Sequence, residues 1–289
     1  MSGPFRKTTS IVDNTFSPGS ERNEILSIEL SLDGFSFAIL DPRQFRYMML
    51  ESYRFANAGH IEGLAAELET FIKENPLLLG SFERVNIAWY QPQYTLVPAQ
   101  LYLHAGKQAY HEYCGPLAQQ YELRADKLNN LEAYGIYPFP EVLRKKLDFL
   151  YSSYRLRHTG TVLIENVLAA IKLGELKADI VLHIKPGHFE LLLLEASCLI
   201  FYNSFAYQAF DDLMYFLFYV LEQFGLDASQ MEALLAGEIS LDSKNYELLS
   251  GYFKKVHFAG RSDVYQYGLE FDEVPHHFFF NLLNLNTCG

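Results

Sequence analysis

Ile25-Leu26-Ser27-Ile28-Glu29-Leu30-Ser31-Leu32-Asp33-Gly34-Phe35-Ser36-Phe37-Ala38-Ile39-Leu40-Asp41 is the stretch on which the fold turns. Two runs with apolar residues at alternate positions flank Asp33-Gly34. Glycine accepts the positive φ of a tight turn, so the pattern predicts a β-hairpin. A third run, Phe45 to Tyr53, extends the same sheet. The period then changes: Ile61, Leu64, Ala65, Leu68 and Phe71-Ile72 recur at helical spacing, with Pro76 just beyond. Arg84 to Tyr90 reads as a further strand, Tyr94 to Pro98 as a short one, and Lys107 to Gln120 as a helix.

The opening block has a counterpart. Asp179 to Ile184, the turn Lys185-Pro186-Gly187-His188 and Phe189 to Glu195 repeat the two runs and the turn, and Cys198 to Phe205 supplies the third run. An offset of 154 residues lays Phe189 on Phe35, Leu194 on Leu40 and Glu195 on Asp41. Helix 209–224, strand 231–239, helix 244–253, strand 254–259 and helix 274–283 follow. Both halves therefore run strand, strand, strand, helix, strand, helix, which predicts an α/β protein built by duplication. A plain doubly wound domain would alternate from its first strand.

Residues 121–165 are less legible, with a strand expected at Gly135 to Tyr137 and a helix at Pro140 to Tyr151. Val162 to Ile171 reads either as a strand then a helix or as one helix. The polar, turn-rich segment 1–22 reads as a loose N-terminal arm, followed by domains at 23–165 and 166–289.

Composition narrows the function classes. The 289 residues are 49% hydrophobic and 20% charged, the balance of a chain with a packed core. Lys and Arg number 23 against 35 Asp and Glu, for a net charge of -12, and the longest basic run is Arg144-Lys145-Lys146. Phosphate-backbone binding exchanges positive charge for counterions, so no nucleic-acid partner is expected. No apolar run reaches the ~18 residues of a transmembrane helix, and no signal-peptide h-region follows Arg6-Lys7. Cys114, Cys198 and Cys288 are widely spaced, which suggests ordinary thiols in a reducing compartment, and a cytoplasmic location is expected. The 20 Tyr and 23 Phe point to a protein partner, since aromatic side chains concentrate at recognition surfaces as well as in cores. The oligomeric state is open.

The sequence carries no G-x-x-x-x-G-K-[ST], G-x-G-x-x-G or H-E-x-x-H motif. His183 with His188, His276-His277, and His104 with His111 and Cys114 lack the further ligands or orienting groups of a metal or nucleophile site, so no metal and no catalytic residue is expected. Three segments are candidate phosphate turns: Glu29 to Gly34, His183 to His188 and Ala259 to Ser262. Each is poorly suited, with the bulky Leu32 in the first, Pro186 lacking an N–H in the second, and only Gly260 in the third.

Ile28 to Phe35, Leu182 to Phe189 and Val256 to Ser262, which contain those turns, resemble the three glycine-rich signatures of the actin-like ATPase superfamily. The chain as a whole resembles DUF3822, a Bacteroidetes family of about this length that is similar to pilus-assembly and secretion members of the actin-like group. The resemblance implies an actin-like ATPase fold of duplicated RNase H-like domains around a cleft. In active relatives the first signature has Asp followed two positions later by Gly, and the second repeats this. Here the positions hold Glu29 and Ser31, then His183 and Lys185, and Ala259-Gly260 keeps one of two adenosine-signature glycines. The expectation is a non-catalytic actin-like protein without a cofactor, acting as a protein–protein interaction scaffold. The alternative is an ATP-binding switch or weak ATPase taking ATP with magnesium in the inter-domain cleft, with Glu29, Gly34, Lys185, Gly187 and Gly260 as cofactor-binding candidates.

Overall fold

The structure is a computed structural model and describes residues 5–17, 23–55 and 60–287. It forms two compact units: Met1–Val162 with Ser262–Glu273 and Asn281–Gly289, and Leu163–Arg261 with Val274–Phe280.

In the first unit the predicted hairpin is β2 (Ile25–Ser31) and β3 (Gly34–Asp41), continued by β4 (Arg46–Phe55). Before it stands β1 (Phe5–Val12), antiparallel to β4. This corrects the loose arm expected over residues 1–22, of which 1–4 and 18–22 lie outside the described residues. The correction has a physical cause that polarity conceals. Phe5 packs 5.0 Å from Phe35 and 5.6 Å from Phe71, Ile11 is buried, and Lys7 pairs with the buried Glu51 at 2.5 Å. Helix α1 (Ile61–Glu74) buries Leu64, Ala65, Leu68 and Ile72, as its spacing predicts. Strand β5 (Arg84–Trp89) then pairs parallel to β2.

A second, three-stranded sheet is inserted before the main sheet resumes: β6 (Thr95–Pro98), β7 (Tyr121–Leu128) and β8 (Ala133–Pro140), in the order β6-β8-β7. The helix expected over Lys107 to Gln120 is only α2 (Lys107–His111) with one further 3-10 turn, because Gly115 adopts φ 117° and Pro116 follows. The chain then enters β7, which sequence periodicity does not reveal. Helix α3 (Glu141–Leu150) matches expectation. Strand β9 (Arg155–His158) closes the edge of the main sheet parallel to β5. The order of that sheet is β1-β4-β3-β2-β5-β9.

Val162 to Ile171 resolves as one helix, α4 (Thr159–Lys172), within which the expected domain boundary at 165 falls. The second unit contains β10 (Ile180–Lys185), β11 (His188–Glu195), β12 (Cys198–Ala206), α5 (Phe210–Gln223), β13 (Glu232–Gly237), α6 (Lys244–Ser250) and β14 (Lys255–Phe258). Its sheet runs β12-β11-β10-β13-β14. The hairpin partner first, the parallel strands last: this is the order β4-β3-β2-β5-β9 of the first unit. Pairing Ile28 with Phe37 and Leu182 with Leu191 obeys the offset of 154 seen in the sequence. One face, with Ile180, Leu182, Ile184, Phe189 and Leu191, packs under α5 and α6 against Leu213, Leu217, Leu221 and Leu249.

The tail departs most from expectation. Instead of a helix from 274 to 283, only α7 (Phe280–Leu283) forms, after a short β15 (Gln266–Tyr267) beside β4 and a 3-10 segment. Phe279, at φ 56°, breaks any continuous helix. Among the described residues no helix is long and apolar enough to cross a membrane.

Candidate functional site

Open α/β sheets bind ligands outside the carboxyl ends of their parallel strands. In the second unit those ends are Lys185 of β10, Gly237 of β13 and Phe258 of β14, and residues 274–280 lie on them. The Gly237 N–H donates to the His277 carbonyl at 2.8 Å, and His277 Nε2 bonds the Ile239 carbonyl at 2.6 Å. The imidazole stacks on Phe258 with ring centroids 4.0 Å apart. Burial lowers its affinity for a proton, although the Ile239 carbonyl opposes the shift. Lys185 is buried with Nζ 5.9 Å from the Phe279 ring centroid, a cation–π contact. The Arg261 guanidinium donates to the Val274 carbonyl at 3.0 Å. Gly237 is glycine of necessity: at φ 86° a Cβ would stand 2.1 Å from the Ile184 carbonyl oxygen. The chain's own backbone and side chains thus occupy polar groups at these strand ends.

Beneath them, β10, β11 and β12 bring together a polar trio, two of whose members, His183 and Glu190, are buried. His183 Nδ1 lies 2.7 Å from Glu190 Oε2, and the Tyr202 hydroxyl donates to Glu190 Oε1 at 2.6 Å. Burial would raise the Glu190 carboxyl, but the hydrogen bond and charge of His183, aided by Tyr202, outweigh it and hold the group down at about 2. His183 therefore pairs with Glu190 rather than with His188, which sits opposite Lys185 in the hairpin register.

In the first unit the corresponding ends are Ser31, Trp89 and His158. A different polar cluster occupies the last of them. His158 Nδ1 accepts the Gly160 N–H at 3.0 Å, which leaves Nε2–H to donate to the Gln91 carbonyl at 2.7 Å. Asp126, from the inserted sheet, accepts the His158 backbone N–H at 2.7 Å, the Thr161 hydroxyl at 2.9 Å and the Tyr137 hydroxyl at 3.0 Å. Thr161 in turn accepts from Tyr94 at 2.9 Å. Burial raises the Asp126 carboxyl to about 6 against the pull of these donors. A cleft of 480 Å³ opens beside it, lined also by Arg124, Tyr151 and Tyr154. Chemically the cluster is an anchor, tying β7 and β8 to the start of α4.

Of the candidate residues, Glu29 and Gly34 belong to the first unit, and Lys185, Gly187 and Gly260 to the second. Glu29 is half-buried in β2 opposite Ser36 and Ala88. Gly34 is closed over by β4, since a Cβ there would meet the Tyr53 carbonyl oxygen at 2.2 Å. Gly187 and Gly260 stand in open space. Lys185 ends β10 and Gly260 lies just past β14, with β13 between those strands, so they are not neighbours in the sheet. His111 is a buried core residue, Cys114 Sγ lies 2.5 Å from Thr95 Oγ1, Cys198 is an exposed free thiol, and Cys288 lies outside the described residues. Among the described residues no group of three or more His, Cys, Asp or Glu could hold a metal ion. Sequence reasoning missed Asp126, and it read the 274–280 segment as part of a helix, because their partners are distant in the chain; Gly237, which ends β13, and the His276-His277 pair were the local signals available.

Two sheets that share a five-strand order in one chain, and the similarity to solved structures that follows, give the class: an actin-like ATPase fold. A Bacteroides thetaiotaomicron protein with actin-like ATPase fold and unknown function is similar over 93% of this chain and 97% of that one, with 21% identity and a TM-score of 0.76. A chain of the PilM-PilN type IV pilus biogenesis complex is similar over 92% and 98%, with 11% identity and a TM-score of 0.60. No curated protein sequence matches. The chain belongs to the family described as protein of unknown function (DUF3822), whose model matches residues 13–256.

Proposed function

We propose that the chain is a non-catalytic actin-like protein that serves as a protein–protein interaction scaffold, its two units being duplicated RNase H-like domains. The observation that carries the reading is the seal on the second unit's strand ends. A phosphate-binding turn needs free backbone N–H groups and a mobile cation. Here the Gly237 N–H is donated to His277 and the Lys185 ammonium rests over Phe279. Where a magnesium site would want a water-holding carboxylate in each half, Glu29 answers in one and His183, paired to Glu190, in the other. The fold shared with a chain of the PilM-PilN complex supports a protein partner, and a cytoplasmic setting is part of the same proposal.

Isothermal titration of Mg-ATP and Mg-ADP into the full chain tests it. The expected result is no saturable heat and no thermal shift. Tight binding with hydrolysis abolished by Glu29→Ala overturns the reading. One observation favours the switch alternative: Gly187 and Gly260 leave room for a ligand. Nucleotide binding weakened by Lys185→Ala, without turnover, would select it.

A further inference from the structure

We propose that the groove between α5 and α6 docks a cationic amphipathic helix of a partner protein, a proposal that rests on the scaffold reading and names its surface. An ordinary surface helix turns polar residues outward. The inner face of α5 follows the rule, with Leu213, Leu217 and Leu221 in the core. Its outer face does not: Asp211, Tyr215, Tyr219 and Glu222 recur at helical spacing, so two tyrosines lie between two acids. Tyr215 is 64% exposed and Tyr219 49%, while Leu248 and Tyr252, on the α6 side, are 44% and 46% exposed. Between these walls lies a groove of 400 Å³ with Met214 and Phe218 also in its lining. The surface is ordered by its own contacts: Tyr215 stacks with Tyr219 at 6.3 Å, and Phe218 meets Tyr252 edge-on at 4.8 Å.

Charge decides the occupant. Asp211 and Glu222 are the groove's charged lining residues, and neither has an ion pair among the described residues; the helix cap uses Asp212 instead. They stand eleven residues apart on α5, about 16 Å or three helical turns. Aromatic faces bounded by unpaired carboxylates attract guanidinium and ammonium groups and leave apolar area for aliphatic side chains. The matching ligand is a helix of about three turns with an aliphatic stripe and Arg or Lys at both ends. A second copy of this chain fits badly. Its longest basic run is engaged, Arg144 with Glu122 and Asp148, Lys145 with Glu141 and Lys146 with Glu69. An anionic membrane surface is excluded by the same acids.

The test uses the full chain and a small panel of fluorescein-labelled synthetic helices of about 15 residues, with a Leu/Ile stripe and Arg at each end. Partners in the panel carry Glu in place of Arg, or a scrambled order. Binding of the Arg probes alone, weakened by salt, is expected. It should fall about tenfold in Asp211→Lys/Glu222→Lys and again in Tyr215→Ala/Tyr219→Ala, with thermal melting unchanged because all four side chains are exposed. Equal binding of Arg and Glu probes, no binding of any Arg probe, or binding indifferent to the four substitutions overturns the proposal. So does self-association, by sedimentation, that Tyr215→Ala abolishes, since a second copy would then own the groove. Loss of the groove without nucleotide binding leaves the scaffold reading standing; nucleotide binding removes that reading whatever the helices do.

Discussion

Two buried carboxyls titrate in opposite senses, and the contrast follows from what surrounds each. Glu190 has His183 and Tyr202 as partners and sits at about 2, below its ordinary 4.5. A carboxyl lowered by folding contributes stability above its unfolded value and loses it as pH falls through the folded one, here about 3 kcal/mol surrendered between pH 4.5 and about 2. Glu190→Gln should cost about 1–3 kcal/mol at pH 7 in chemical denaturation, because it removes the carboxylate that accepts from Tyr202 and pairs with His183. A loss under 1 kcal/mol would show that the trio matters little. Asp126 has neutral donors and deep burial, and sits at about 6 against an ordinary 3.8. Its sign is reversed: the folded state holds the proton more firmly, so stability declines as pH rises from 3.8 to about 6, by about 3 kcal/mol. Asp126→Asn should flatten that decline in urea titrations between those limits, and an unaltered slope would remove Asp126 as its source. Neither group could be singled out from the sequence, because its partners lie on other strands and, for Asp126, also on α4.

At the scale of elements, apolar runs and turn chemistry were sufficient where a strand lies in a hairpin core, as β2–β3 and β10–β11 do, since burial on both faces needs apolar residues at nearly every position. They failed at the margins. Strand β1 reads Phe-Arg-Lys-Thr-Thr-Ser-Ile-Val, with only its ends apolar, because an edge strand exposes one row of side chains to water. Its pairing with β4 and the Lys7–Glu51 and Ser10–Glu51 contacts give it a structural role. Removing residues 1–12 should therefore lower stability by ~3 kcal/mol, from the burial of Phe5 and Ile11, and expose the edge of β4 to aggregation. Unchanged melting and monodispersity would return the segment to the status of a loose arm. Strands β7 and β9 are short of apolar residues for a similar reason, and β7 carries Asp126 inward to bond backbone and hydroxyl groups instead of packing on a core.

Over the whole molecule, the tail is divided between the units: Val274–Phe280 belongs to the second and Asn281–Gly289 to the first, where the Leu283 carbonyl accepts from Tyr47 at 2.6 Å and Asn286 accepts from Asn86 at 2.6 Å. Deleting residues 274–289 should raise hydrogen exchange in β13 and β5 together; faster exchange in one alone would mean that the tail supports a single unit. The duplicated plan, the two hairpins in register at an offset of 154 and the apolar helices were legible in the sequence, because hydrophobic period and turn residues act over a few neighbours and need no distant partner. The candidate residues Glu29, Gly34, Lys185, Gly187 and Gly260 were nominated from the sequence in and beside the two hairpin turns and the 259–262 segment, but sequence could not say that β4 covers Gly34 or that Phe279 lies under Lys185. The strand order, the sealing of the second unit's strand ends by residues from 274 onward, and the state of Asp126 and Glu190 were decided only by tertiary structure. Each depends on which groups the folded backbone brings within hydrogen-bonding distance after water has been removed, and no local pattern encodes that.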